Sequence, residues 1–148
     1  MSYRLSQRFD FYSHAKIWSV NAEIKGGGDN KFTIPEKFTG VKAFGVPNDY
    51  LKNQQLSLVV YDTDSVGLHQ LYETAKYEVE DFNAEVFSSE ILGFIHRKPL
   101  IEAGKFYADK EMKDSDYIRL AIKKLKLDQT HVFVPEAKII ECLVENRK

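Results

Sequence analysis

Residues 56–87 read LSLVVYDTDSVGLHQLYETAKYEVEDFNAEVF, and they combine a short apolar run with a long amphipathic one. The run at 56–61 is the most apolar strand candidate in the chain, so we expect it at the centre of a sheet. A helix is predicted from about Ser65 to Phe87, because apolar residues recur there at intervals of three and four. These residues are Leu68, Leu71, Tyr72, Ala75, Val79, Phe82 and Val86. Asp64 or Ser65 is expected to cap the first turn of this helix.

The N-terminal 61 residues carry the other strand patterns. Apolar and polar residues alternate with period two over 3–12 and 15–24, and shorter strand candidates lie at 31–34 and 41–46. Together with 56–61 they make about five strands, which we expect to pair mainly in antiparallel fashion. The segment from Gly26 to Asn30 is the clearest break and lacks the motif of a phosphate-binding loop.

The C-terminal half is expected to supply one or two further helices that cover this sheet. Residues 115–127 keep helical spacing, whereas 99–113 read as loop with at most one short element. The segment 89–95 is ambiguous between strand and helix, and 131–134 reads as a strand. Residues 136–146 fit either a helix or an edge strand, with helix slightly favoured. The predicted fold class is therefore α+β, as a single domain over residues 1–148.

Composition and charge limit the class of protein. The net charge is −1, so strong general attraction to nucleic acid or to an anionic membrane is not indicated. Cys142 is the only cysteine, which leaves no partner for an intrachain disulfide or a Cys-based zinc site. Neither a leader peptide nor a long apolar run is found, so a cytoplasmic protein is the simplest expectation.

Charge is segregated along the chain. Residues 62–90 hold eight acids against one base, and residues 96–126 hold nine bases against five acids. Two solvated helix faces of opposite sign would explain this pattern, and a bipolar surface would also favour self-association or a charged partner. Our leading hypothesis is a small soluble non-enzymatic interaction protein that binds a protein partner or another copy of itself.

The best candidates for catalytic chemistry are Asp62 and Asp64, which follow a predicted strand. Two carboxylates at this spacing could hold Mg²⁺ or Mn²⁺ against a phosphate, with His69 nearby on the helix, as in a metal-dependent phosphate-handling enzyme. The alternative is local: the aspartates serve as turn and capping residues, and His69 faces solvent. Cys142 lies between apolar neighbours and is expected to be an inert buried thiol.

A second alternative function is binding of single-stranded nucleic acid. Rings and bases interleave in the N-terminal hairpin, and such a face can stack unpaired bases and contact phosphates. The candidate residues are Arg4, Arg8, Tyr12, Lys16 and Trp18, with Lys123 and Lys124 adding charge. No nucleotide fingerprint, metal-binding His motif or serine-nucleophile elbow occurs, so we expect no cofactor and favour a binding protein over an enzyme.

Overall fold

The computed structural model describes residues 18–26, 40–48, 53–61, 64–80 and 83–145. Its strands are β1 (Trp18–Gly26), β2 (Val41–Asn48), β3 (Asn53–Val60) and β4 (Ala84–Leu92). Its helices are α1 (Leu68–Glu80), α2 (Arg97–Tyr107) and α3 (Asp114–Lys124), followed by the short α4 (Pro135–Lys138) and α5 (Ile140–Glu145). The predicted α+β class, with an antiparallel sheet and several helices, is confirmed.

The sheet has the strand order β2-β3-β1-β4, and all three neighbouring pairs are antiparallel. The predicted central position of β3 is confirmed, because it lies between β2 and β1. β2 lies at one edge of the sheet formed by the described strands, and this explains how it accommodates Pro47, which has no N–H to donate to a neighbour.

The expectation of about five N-terminal strands is wrong for the described residues. The sheet there has four strands, and the fourth, β4, follows α1 instead of preceding it. The predicted strands at 3–12 and 31–34 lie outside the described residues. β4 also settles part of the ambiguity at 89–95, since strand pairing continues to Leu92.

Alternate residues of the strands pack against the helices in one core. The strands contribute Ile24, Leu58, Val60, Val86 and Ile91, and the helices contribute Leu71, Ala75, Val79, Leu100, Ala103 and Ala121. Full burial of one such aliphatic side chain of Val, Leu or Ile contributes about 1.5–3 kcal/mol. A small apolar cavity of about 30 Å³ belongs to this core.

α1 is shorter than predicted. It ends at Glu80, and Asn83 then adopts φ 55° while its N–H donates to the Glu80 carbonyl. This left-handed turn reverses the chain into β4, where Ala84 and Val86 are buried and Glu85 is exposed. Val86 lies seven residues after Val79 and so also fits a helical repeat, which is why the spacing extended the predicted helix too far.

α2 was not predicted, since 99–113 read as loop. Pro99 lies in the first turn of α2, where a missing N–H costs nothing, and it does not break the helix. Gly104 allows close packing on α3, because a Cβ there would overlap the carbonyl of Tyr117. Pro99 and Gly104 both have low helix propensity and so argued against a helix in the sequence, although both fit into the packed α2.

The C-terminal segment combines both readings that the sequence left open. α4 and α5 are helical, and between them Ile139 forms a parallel bridge with Ile95. The predicted strand at 131–134 is wrong, because these residues form an irregular segment that precedes α4. In the part of the chain that the structure describes, no helix is long and apolar enough to cross a membrane.

Candidate functional site

Asp64 is exposed and lies in a turn ahead of α1. Because α1 begins at Leu68, the N-cap position falls on Gly67, so the prediction that Asp64 or Ser65 caps this helix is wrong. The side chain of Gln70 reaches back and accepts a hydrogen bond of 2.7 Å from the Gly67 N–H. Asp62 lies outside the described residues, and a metal-binding or catalytic role for the two aspartates stays a prediction.

His69 packs against α2 instead of facing solvent. Its ring stacks on that of Phe106 at a centroid distance of 4.6 Å, and its Nδ1 is buried without a hydrogen-bond partner among the described residues. Burial lowers the pKa of His69, and the carboxylates of Glu102 and Glu73 oppose that shift only in part. Within the described chain no hydrogen bond or ion pair joins His69 to Asp64, so the two are not brought together as a catalytic pair.

Only some of the residues proposed to bind nucleic acid belong to the described part of the chain. Arg4, Arg8, Tyr12 and Lys16 lie outside the described residues, and Trp18 is the first residue of β1. Lys123 and Lys124 are exposed in the last turn of α3. Their proposed role in nucleic-acid binding is therefore untested. Lys123 also lines a surface groove, which the sequence alone did not indicate.

Lys123 lines a groove of about 880 Å³ between α3 and the C-terminal segment 128–142, which we term the charged groove. Apolar side chains of both walls contribute to its lining, and they are Ile118, Ile122, Val132, Phe133, Pro135 and Ile139. Its charged side chains are three bases and three acids, namely Arg97, Arg119, Lys123, Asp114, Asp128 and Glu136. A groove of this size with charges of both signs suits a small polar ligand better than a uniform polyanion.

Arg97, the first residue of α2, is held at this groove by the C-terminal segment. One guanidinium nitrogen donates to Glu145 Oε1 at 3.1 Å and contacts the sulfur of Cys142 at 3.7 Å. The hydrogen bonds to Cys142 and Glu145 raise the pKa of Arg97 above its already high value, so the guanidinium keeps its charge. Cys142 itself is half-buried and lines the groove, which differs from the expected fully buried thiol.

Glu141 ties the same segment to the start of α2. Its carboxylate accepts hydrogen bonds from the Arg97 N–H and lies 2.9 Å from His96 Nδ1. A carboxylate that bonds free N–H groups at a helix N-terminus is a capping arrangement, so this His–Glu pair has a structural role. Sequence reasoning missed it, because the partners lie more than 40 residues apart.

Comparison with known proteins assigns the fold to a family. The profile described as formiminotransferase domain matches residues 12–145. Formimidoyltransferase-cyclodeaminase of Rattus norvegicus is 31% identical over 130 residues, which are 85% of this chain and 24% of that protein. The protein of the same name from Dictyostelium discoideum is 27% identical over 131 residues, 86% of this chain and 24% of that protein.

The chain is also similar to a bacterial protein whose name includes glutamate and the formimidoyltransferase activity but no cyclodeaminase. Glutamate formimidoyltransferase of Streptococcus pyogenes serotype M1 is 29% identical over 76 residues, 51% of this chain and 25% of that protein. The chain therefore spans about a quarter of the length of these relatives. All are named as transferases, so the hypothesis of a non-enzymatic interaction protein is wrong, and neither alternative function matches the family. The chain belongs to the formiminotransferase domain family.

Proposed function

We propose that this chain is a domain of an enzyme that transfers a formimidoyl group, with glutamate as the amine that carries the group. The family profile, which covers residues 12–145, is the observation on which the proposal rests. The name of the bacterial relative adds glutamate as the substrate class. Because the chain spans about a quarter of its relatives, we confine its share of the reaction to binding the formimidoyl donor and supporting the transfer.

The chemistry of such a transfer defines what the domain must hold. An acceptor amine attacks the formimidoyl carbon, and a tetrahedral centre forms that carries three nitrogens, namely the formimidoyl nitrogen, the glutamate nitrogen and the acceptor nitrogen. The bond to the glutamate nitrogen then breaks, that nitrogen takes up a proton, and the acceptor nitrogen loses one. The N-formimidoyl group is an amidine and is cationic at neutral pH, whereas the glutamate part has two carboxylates. A site for this donor must therefore stabilise both signs of charge.

Release of glutamate tests the proposed reaction. The purified chain is incubated with N-formimidoyl-L-glutamate and hydroxylamine as an acceptor probe, and free glutamate is followed by mass spectrometry. We expect faster release with the folded chain than with the heat-unfolded chain, and the rate should saturate with the donor. Release at the rate of the unfolded control, together with no saturable binding of the donor, would contradict the proposal.

Three further expectations belong to this proposal. We infer that residues 1–148 form one domain and that the chain associates with further copies of itself. We also infer that it acts in the cytoplasm, where its single cysteine, Cys142, needs no disulfide partner. Limited proteolysis, light scattering and cell fractionation test them in turn. A stable proteolytic fragment much shorter than the chain, a monomer at every concentration, or recovery outside the cytoplasm would each contradict one of them.

A further inference from the structure

We propose that Lys126 and Lys138 close the outer edge of β4 and so prevent this edge from pairing with a strand of a second copy of the chain. In the sheet of described strands β4 has a neighbour, β1, on one side only, so the backbone groups on its other side need partners. A row of unpaired strand groups is a template for pairing with another chain. The inference is independent of the proposed function, since it concerns the sheet and not the transfer reaction.

Lys126 contacts β4 with both its backbone and its side chain. Its carbonyl accepts a hydrogen bond of 2.9 Å from the Ser89 N–H, and its ammonium donates to the Val86 carbonyl at 2.8 Å. The neighbours Leu125 and Leu127 are buried in the core, and Lys126 adopts φ 54° between them. This left-handed backbone is unfavourable for a residue with a Cβ, so the contacts on both sides must hold it.

Lys138 repeats this arrangement at the other end of β4. Its ammonium donates to the Ile91 carbonyl at 2.9 Å, and its carbonyl accepts a hydrogen bond of 3.0 Å from the Ile95 N–H. The next residue, Ile139, is fully buried and forms the parallel bridge with Ile95. Lys138 is therefore held on the strand by a buried neighbour, as Lys126 is.

The charge of the two side chains makes them suited to closing an edge. A hydrogen bond from an ammonium to a carbonyl is stronger than one between neutral groups. A strand from another chain would have to displace both ammonium groups and would bring uncompensated positive charge to the new seam. Lysine at a strand edge is a common means by which proteins prevent such pairing.

The partner that the closed edge would otherwise meet is a second copy of β4. The strand is nine residues long and includes the large apolar residues Val86, Phe87, Ile91 and Leu92. Such an edge can pair with its own copy in antiparallel fashion about a two-fold axis. The self-association that we expect of the native chain must then use another surface.

Amide hydrogen exchange on the full chain tests the two contacts separately. Lys126→Met keeps an unbranched apolar side chain but removes the charge. It should speed exchange at Ser89 by about tenfold or more, as expected for loss of a charge-assisted hydrogen bond, and change Ile95 by less than about twofold. Lys138→Met should have the reverse effect. Each rate is taken relative to the amide of Leu58 in the central strand β3, which corrects for changes in global stability.

Lys124→Met is the matched control. Lys124 is exposed in the last turn of α3, and no hydrogen bond or ion pair among the described residues joins it to β4. Exchange at both edge amides should therefore stay as in the wild type. If a methionine variant does not fold, the unaltered chain still provides a test. Nuclear magnetic resonance should then detect couplings across the hydrogen bonds from the two lysine ammonium groups to the strand carbonyls.

Light scattering of the double variant Lys126→Met/Lys138→Met tests the role in association. We expect it to associate beyond the state of the wild type at the same concentration, with an increased infrared signal of antiparallel strands. Unchanged exchange at both edge amides, or absence of the couplings, would overturn the contacts themselves. Faster exchange without added association would overturn the claim that the lysines prevent pairing. The proposed function is tested separately by release of glutamate.

Discussion

The backbone N–H of Arg97 donates to both carboxylate oxygens of Glu141, at 2.9 and 3.1 Å. A side chain of α5 thus caps α2 from a distance of 44 residues in the sequence. The bridge between Ile95 and Ile139 lies beside this cap and fixes the register of the C-terminal segment. Because that segment forms one wall of the charged groove, the cap links the stability of the fold to the shape of the candidate site.

Glu141→Ala should destabilise the protein by about 1 kcal/mol or more, because it removes the acceptor for the first N–H of α2. Urea unfolding measures the free-energy change, and Glu111→Ala, at an exposed position, is the control. Burial raises the pKa of Glu141, but the hydrogen bonds from Arg97 and His96 outweigh that effect and hold the pKa below its ordinary value. Equal stability of the two variants would mean that the cap contributes nothing.

Acidification should destabilise the contact between α1 and α2 through His69. Burial lowers its pKa below the 6.5 of the unfolded chain, while Glu102 and Glu73 act against this shift. The unfolded chain therefore binds more protons, and the stability contributed by neutral His69 is lost as the pH falls below about 6.5. His69→Phe keeps a ring against Phe106 and should flatten the stability curve between about pH 7 and pH 5. If the slope of stability against pH is the same in His69→Phe as in the wild type, His69 is not the source of the pH dependence.

Gly104→Ala should cost at least about 1–3 kcal/mol, since its Cβ would overlap backbone atoms of Tyr117 and force α2 and α3 apart. Gly67→Ala is the comparison, because the atoms it would meet belong to the His69 ring, which can rotate away. Thermal unfolding of both variants should therefore give the larger loss for Gly104→Ala. The reverse order would contradict the close packing of the two helices.

Tyr107→Phe should destabilise the protein by about 1 kcal/mol, the usual value for one intramolecular hydrogen bond. The Tyr107 hydroxyl donates to Glu73 Oε1 at 2.7 Å and joins α2 to α1. Burial and this hydrogen bond raise the pKa of the hydroxyl, so it remains a donor at neutral pH. Tyr77→Phe, on the exposed side of α1, should be neutral in the same urea titration. If Tyr77→Phe lowers the free energy of unfolding as much as Tyr107→Phe does, the loss comes from removal of a hydroxyl in general and not from the hydrogen bond to Glu73.

The sequence predicts the elements whose periodicity is undisturbed. β3 and α3 appear where the pattern places them, since the second half of β3 is mostly apolar from Leu56 onward and α3 has regular helical spacing. α2 could not be predicted, because Pro99 and Gly104 have roles that only tertiary packing reveals. The end of α1 depends on the left-handed backbone of Asn83, a conformation that local spacing does not encode.

The sequence allowed only single residues of the candidate site to be predicted, and not their arrangement. Lys123 was singled out for its charge, but its position opposite Glu136 depends on contacts between segments far apart in sequence. The family likeness rests on about 30% identity over 130 residues. The sequence has no nucleotide-binding fingerprint, no metal-binding His motif and no serine-nucleophile elbow that would have indicated the chemistry of the site.

Recognition of the formimidoyl group is the central claim, and its most direct measurement is a calorimetric titration of the wild-type chain. N-formimidoyl-L-glutamate is compared with N-acetyl-L-glutamate, which has the same carboxylates and similar size but a neutral substituent. We predict saturable binding of the formimidoyl compound at one site per chain, at least about tenfold tighter than the acetyl compound. Absence of binding, or equal affinity for the two compounds, would contradict the account.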